Sequence, residues 1–357
     1  MCRAVGSGTT AESASDTGDD GVKPPPFAYH APRTEEEALA TLGALGEDGK
    51  VLAGGQSLIP LLNMRLAAPP ALVDLARLET LDRIAVTDTH VRVEARVTHE
   101  RLRRDERVAA AVPLLRQALD WVAHPVIRNR GTSVGSIAHA DPAAELPAVL
   151  ALLGGWMQLR SVEGERTVEA GDYLLGPLES DTRPGELVVA ATFPRPGVRT
   201  GTAFEELARR HGDYAMAGVG VRVTLDADHH VGDASAAFIG VGGTAIQVEL
   251  TEVLRGQPYD ALDKAEAIGL ARASIDPAAD IHATAGYRRH LAGVLLGRAL
   301  ETAVRHAAGQ APPDSGPAPE GPGPTESAAP GSAAPGSAAT ESAPTGHASG
   351  GYREETA

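Results

Sequence analysis

The sequence predicts an α+β protein, and three observations lead there. From Phe27 to Pro194 short apolar runs alternate with helix-length amphipathic segments. From Thr202 onward the pattern changes to strands separated by turn signals, and two helical segments then close it. With 357 residues the chain has room for two or three domains, and 43% hydrophobic against 22% charged residues is the balance of a globular protein with a sizeable core.

Structure is expected to begin at "PFAYHAPRTEEEALATLGAL", where Thr34 followed by Glu37 makes a capping box for a short helix through Ala38, Leu39 and Leu42. That helix closes between Gly43 and Gly49. "KVLAGG" is a short buried strand, and a Gln56–Ser57 corner hands over to a helical "LIPLLNMRL". Pro60 is tolerated there because first-turn N–H groups have no intrahelical acceptor to lose. After "ALVDLARL", the stretch "RIAVTDTHVRVEARVTH" alternates in strand fashion through Val91, Val93 and Ala95. One helix is expected through "ERLRRDERVAAAVPLLRQALDWV", then "WMQLRSVEGERTVEA" as a hairpin and "GELVVAATFP" as a strand ending at proline. Antiparallel strands follow with turns at Asp226–His230 and Gly240–Gly243. The last helix, "AGYRRHLAGVLLGRALETAVRHA", carries Leu291, Val294 and Leu295 at helical spacing.

Both ends read differently. Residues 1–26 lack the apolar region of a secretory signal and are expected to form a disordered extension. Beyond His306 the chain turns to Ala, Pro, Gly, Ser and Thr, a composition that cannot offset the entropy of ordering, so 310–357 is expected to be a disordered low-complexity tail.

Composition also excludes functions. A formal charge of -15, from 32 basic and 47 acidic side chains, repels a phosphate backbone and argues against nucleic-acid binding. Cys2 is the one cysteine, so the chain alone builds neither a disulfide nor a cysteine-ligated cluster, and a reducing cytoplasm is the expected compartment. No segment approaches the ~18 continuous apolar residues of a membrane span. His99, His124, His139, His211 and the His229–His230 pair show no HExxH-type spacing, so no metal site is predicted.

The chemistry-bearing pattern is a pair of glycine corners, "LAGGQSLI" and "RGTSVGSIAHADP". Each ends an extended run with small residues and hydroxyls, then starts a helix. Lacking Cβ atoms, Gly54, Gly55 and Gly135 let backbone N–H groups approach an oxyanion, and Ser57, Thr132, Ser133 and Ser136 add hydroxyl donors. A helix N-terminus behind each adds partial positive charge. Facing each other, two such corners would grip a pyrophosphate without lysine; taken singly, each reads as an ordinary turn. No GxxxxGK[ST] is present, and "GVGG" at Gly240 to Gly243 lacks the GxGxxG spacing.

"AGGQSLIPLLNMRLAAP" and "RNRGTSVGSIAHADPAAELPA" together resemble the paired flavin-binding motifs of the FAD-containing medium subunit of molybdenum hydroxylases, the carbon monoxide dehydrogenase and xanthine dehydrogenase family. The resemblance continues through "DYLLGPLESDTRPGELVVAATFP", "AFEELARRHGDYAMAGVGV" and "YRRHLAGVLLGRAL". It implies a PCMH-type FAD-binding domain of two α/β lobes over 27–197, then a smaller α+β domain with an antiparallel sheet and helices over 198–309. It also implies that Ala53, Gly54, Gly55, Gln56 and Ser57, flanked by Leu52 and Leu58, wrap the FAD pyrophosphate through backbone N–H groups. The second corner matches a family pattern T-x-G-G-S or T-x-G-G-N at Thr132, Ser133, Val134, Gly135 and Ser136.

Val134 departs from that pattern. A valine resists positive φ, so either the backbone there is ordinary or the site is altered. Asp141 and Glu145 match acidic positions near the flavin's sugar-like hydroxyls, and they equally suit helix capping. Tyr214 matches a position beside the isoalloxazine or is a core aromatic, and Val188 lies beside the cofactor or in the sheet core. No histidine or cysteine stands out as a covalent anchor, so the resemblance implies noncovalent FAD.

In such a protein the flavin carries the redox chemistry and no catalytic side chain is required. The resemblance implies electrons that leave a substrate at a molybdenum cofactor in a large subunit, cross [2Fe–2S] clusters in a small iron–sulfur subunit and reach FAD. From there they pass to NAD, oxygen or another carrier. Paired three-subunit units, a dimer of heterotrimers, are the family precedent. A stand-alone PCMH-fold flavin oxidoreductase, a flavin-free assembly subunit and a nucleotide-binding regulator are the alternatives.

Overall fold

The computed structural model describes residues 24–310; the extension and tail expected at the chain ends fall outside them, apart from residues 24–26 and 310. Strands β1 (Ala28–His30), β2 (Gly49–Leu52) and β3 (Ala71–Asp74) form a parallel sheet in the order β1-β3-β2. Parallel pairing needs crossovers, and the helices Glu35–Leu45 and Leu58–Asn63 supply them. Thr34 caps the first, its hydroxyl accepting the Glu37 N–H at 3.2 Å, while the Glu37 carboxylate takes the Arg33 N–H at 2.9 Å. Gly46, at φ 56, ends it.

Strands β4 (Ile84–Val86), β5 (His90–Glu94), β6 (Trp156–Ser161) and β7 (Gly164–Glu169) make two hairpins. After a small ribbon of β8 (Leu174–Gly176) with β9 (Glu179–Ser180), strand β10 (Leu187–Pro194) inserts between those hairpins, giving the order β4-β5-β10-β6-β7. Its residues Leu187 to Phe193 are all buried, which makes β10 the spine of this sheet.

The helix expected over 100–122 is instead three: His99–Arg104, Glu106–Ala111 and Pro113–Leu119. Asp105 leaves the helical region at ψ 106 and its carboxylate caps the next helix through the Arg107 N–H at 3.0 Å. Pro113 excludes Val112 from helical geometry, holding it at φ -139 and ψ 78. Leu102, Val108, Leu115 and Leu119 still reach one core, so the apolar spacing hid the breaks.

A four-stranded antiparallel meander follows: β11 (Thr200–Ala208), β12 (Ala215–Leu225), β13 (Val231–Ile239) and β14 (Ile246–Glu249). Its turn at Asp226–His230 is held by the Asp226 carboxylate, which accepts the N–H groups of Asp228 and His230 at 2.9 Å each. The long helix Ala285–Ala307 packs on β11 and β12 over one core, and the helix Glu145–Leu152 packs against β12 and β13 over the other. Among the described residues no helix is long and apolar enough to cross a membrane.

Candidate functional site

The first corner leaves β2 at Leu52 and turns through Ala53, Gly54, Gly55, Gln56 and Ser57 into the helix that starts at Leu58. Gly55 sits at φ +73, a conformation L side chains rarely adopt. Gln56 closes the bend by donating its side-chain amide to the Gly54 carbonyl at 3.0 Å. The second corner ends at Thr132, whose hydroxyl accepts the Gly135 N–H at 3.2 Å and so caps the helix Ser133–His139.

The two corners touch. A Cβ on Gly54 would overlap the Arg130 carbonyl oxygen and lie 2.7 Å from Gly131 Cα and 2.9 Å from the Thr132 nitrogen. The bare position at Gly54 therefore makes room for the other bend's backbone, where the sequence argument had reserved it for a ligand. Gly135 is similarly enclosed, with the Thr132 hydroxyl at 2.5 Å from its missing Cβ and Ala53 Cβ at 3.6 Å. The two bends that lead into helices consequently pack against each other through glycine contacts.

Val134 lies inside the first turn of its helix, 2% exposed and without positive φ. Its backbone is ordinary. Val134 and Gly135 line a small cavity of 70 Å³ together with Val51, Ala53, Glu186 and Val188. Val188 is 8% exposed at a register shift in β10, so it belongs to the sheet core and to that cavity wall at once.

A carboxyl-rich wall adjoins the corners. Asp141 accepts the Ala143 N–H at 2.8 Å, the turn-capping role, and keeps its second oxygen for other donors. Glu145 is the half-buried first residue of its helix; desolvation by the surrounding protein pushes its carboxyl up to about 7, with the Asp141 charge adding to the rise. Tyr214 is 74% exposed between β11 and β12, which removes the core-aromatic reading. Desolvation on the ring's protein-facing side raises its phenol, and so do the Asp141 and Glu145 charges. At the end of its helix His139 is lowered by burial, with Asp141 opposing and Lys50 assisting the shift.

Residues 25–196 match the family described as FAD binding domain in molybdopterin dehydrogenase, and residues 202–303 match the CO dehydrogenase flavoprotein C-terminal domain. The chain is 39% identical to 6-hydroxypseudooxynicotine dehydrogenase complex subunit alpha of Paenarthrobacter nicotinovorans, a match that covers 80% of this chain and 97% of that one. It is 40% identical to the carbon monoxide dehydrogenase medium chain of Afipia carboxidovorans, covering 80% and 99%. The chain belongs to the FAD-binding medium subunits of molybdenum hydroxylase-type dehydrogenases. Solved structures agree: CO dehydrogenase from Oligotropha carboxidovorans superposes at TM-score 0.74 with 38% identity, covering 79% of this chain and 98% of that one. Quinoline 2-oxidoreductase from Pseudomonas putida 86 superposes at TM-score 0.74 with 36% identity, covering 80% and 99%.

Within this medium-subunit fold, further residues support the site without any motif to announce them. His99 is 5% exposed and backs the second bend: its N–H donates to the Gly131 carbonyl at 2.9 Å, and its ring Nδ1 lies 3.3 Å from the Ser133 hydroxyl. Burial, then the Arg128 charge, pushes the ring down to about 4, so it is neutral at pH 7. Arg128 donates to the carbonyls of Val122 and Ala123 at 2.8 Å each and pairs with Glu100 at 3.1 Å. That network pins the loop carrying the second corner. Glu206 on β11 is 5% exposed, and burial pushes it up to about 9 with Glu145 adding to the rise. A glutamate on the strand face shared with Thr202 and Phe204 was the one local signal for it; His99 offered none.

Proposed function

We propose that this medium subunit binds FAD noncovalently between its two corners and passes electrons through it to an external acceptor. The single observation that carries the reading is the backbone-to-backbone contact at Gly54, which packs against each other the two bends that lead into helices. Such a pair offers N–H donors and partial positive charge to the two phosphates of a dinucleotide without a lysine. In this reading Ala53, Gly54, Gly55, Gln56 and Ser57, between Leu52 and Leu58, hold one phosphate. Thr132, Ser133, Val134, Gly135 and Ser136 hold the other through their backbone and hydroxyls. Asp141 and Glu145 accept hydroxyl donors of the sugar-like chain, and exposed Tyr214 and buried Val188 flank the ring region.

Bound FAD supplies one- and two-electron redox chemistry, and the chain's residues supply binding, orientation and exclusion of water. The electrons are proposed to come from [2Fe–2S] clusters in a small subunit and, before that, from a molybdenum cofactor in a large subunit. Support comes from relatives whose names include a dehydrogenase complex subunit and a medium chain, and from the single cysteine, Cys2. A dimer of three-subunit units, a cytoplasmic location and a division into domains at 27–197 and 198–309 complete the proposal. Val134 gave the flavin-free alternative its motive, and its ordinary helical backbone supports the flavin reading.

Purification of the full chain from its native host, with an absorbance spectrum and identification of companion chains, tests this. Flavin bands with molybdenum and iron–sulfur partners are expected. A colourless chain that stays colourless after FAD is added would overturn the reading.

A further inference from the structure

Residues 180–188 lead the chain into strand β10, and Arg166 of β7 holds that entry in place. The register sets Arg166 opposite Leu159 of β6 and Leu159 opposite Val188 of β10, so the three share one face of the sheet. The Arg166 guanidinium takes the Glu186 carboxylate in a fork, Nε donating to Oε1 at 2.6 Å and Nη2 to Oε2 at 2.7 Å. Its Nη1 donates to the Asp181 carboxylate at 2.5 Å, and the Asp181 carbonyl accepts from Nη2.

Further bonds tie the same residues to the core. The Arg183 N–H donates to Glu186 Oε2 at 2.8 Å, and the Asp181 N–H donates to the Tyr173 carbonyl at 2.9 Å. The Thr182 hydroxyl lies 2.8 Å from the hydroxyl of fully buried Tyr173 and 3.2 Å from that of Ser180. Ala53 of the first corner and Val134 and Gly135 of the second line the 70 Å³ cavity together with Thr182, Glu186 and Val188. At ~30 Å³ for each water molecule that volume holds about two, too little for a flavin ring, so this lining can support a ring laid over it but cannot enclose one.

We propose that Arg166 is a positioning residue for the cofactor: its fork on Glu186 and its bonds to Asp181 fix residues 180–188 as a third wall of the flavin site, beside the two corners. The inference rests on the flavin reading above, which sets Val188 by the ring region. Arg166 does not line the cavity itself and acts through Thr182, Glu186 and Val188. A guanidinium held in a fork by a carboxylate fixes orientation as well as distance. Two carboxylates on one short segment repel each other unless a cation is bonded to both, and Arg166 is bonded to both.

The test titrates FAD into the cofactor-free full chain and records, for the same variants, the visible circular dichroism of the bound flavin and urea unfolding. Arg166→Met leaves the segment to be ordered by the ligand, so binding should weaken roughly tenfold and the flavin dichroism should change. Arg166→Lys keeps the charge without the fork and should fall between Arg166→Met and wild type. Leu254→Ala, at a fully buried position in the other core, separates positioning from a general loss of stability. It should unfold more easily than wild type yet bind FAD with wild-type affinity and dichroism.

Wild-type affinity and dichroism in Arg166→Met would overturn the inference, and so would losses that Leu254→Ala reproduces. If Arg166→Met does not fold, Arg166→Lys decides in its place, and unchanged affinity and dichroism there would overturn it equally. A wild-type chain that takes up no FAD would instead refute the flavin reading, and this inference with it.

Discussion

Gly54→Ala adds one methyl group where the two bends meet. Its carbon would overlap the Arg130 carbonyl oxygen and stand 2.7 Å from Gly131 Cα and 2.9 Å from the Thr132 nitrogen. Restoring an ordinary carbon–carbon separation of about 3.5 Å from 2.7 Å requires the bends to part by about 0.8 Å. Overpacking of a close-packed contact costs about 1–3 kcal/mol, and the upper end applies because all three neighbours are backbone atoms rather than side-chain tips. Separation also withdraws one bend's donors from a ligand held by both, and about 3 kcal/mol of charge-assisted hydrogen bonding is on the order of a hundredfold in affinity.

Urea unfolding of the cofactor-free chain measures the first effect and FAD titration the second. Gly55→Ala is the internal comparison. There the clash is with the Ile59 side chain at 3.1 Å, which can shift, and the main penalty is the φ of +73, about 1–2 kcal/mol. Gly54→Ala should be the more damaging of the two in both assays. If it unfolds like wild type and binds FAD at full strength, the bends do not depend on that contact and the reasoning fails.

Arg128→Met should destabilise the chain by about 1–3 kcal/mol in urea unfolding, because it leaves the Val122 and Ala123 carbonyls without their donor and takes one of three arginines from Glu100, which keeps Arg103 and Arg104. Unfolding at wild-type strength would contradict that anchoring. His99 must gain a proton on unfolding at acid pH, so its contribution to stability is present above the ordinary 6.5 and falls as pH drops toward about 4, by about 3 kcal/mol at most. His99→Gln should flatten that part of the profile between pH 6.5 and about 4. Tyr214→Ala, at a ring 74% exposed, should leave unfolding of the cofactor-free chain within about 0.5 kcal/mol of wild type while changing the absorbance envelope of bound flavin.

The parts of the fold legible in the sequence are those decided locally. Thr34 and Glu37 form their cap within four residues, and the Asp226 turn closes over five, so both were readable. The order of strands in the central sheet was not, because β10 enters between two hairpins through pairing that no local pattern encodes. The three short helices from His99 to Leu119 kept one apolar period across their breaks, although Val112–Pro113 was a readable stop.

At the site, glycines and hydroxyls marked both corners, since a bend stripped of side chains is visible in one dimension. What fills the space at Gly54 was not visible: its neighbours are Arg130, Gly131 and Thr132, distant in the chain. Glu206 escaped notice for the same reason, and His99 was weighed only as a metal ligand. A carboxyl oxygen without a partner and a neutral buried ring are properties of tertiary packing.

The most direct test of the account is a crystal structure of the full chain with FAD. The pyrophosphate is expected within hydrogen-bond reach, about 2.7–3.2 Å, of N–H groups from both the Ala53–Ser57 bend and the Thr132–Ser136 bend. A dinucleotide seated on one bend alone, or bound elsewhere while the two bends remain in contact, would contradict it.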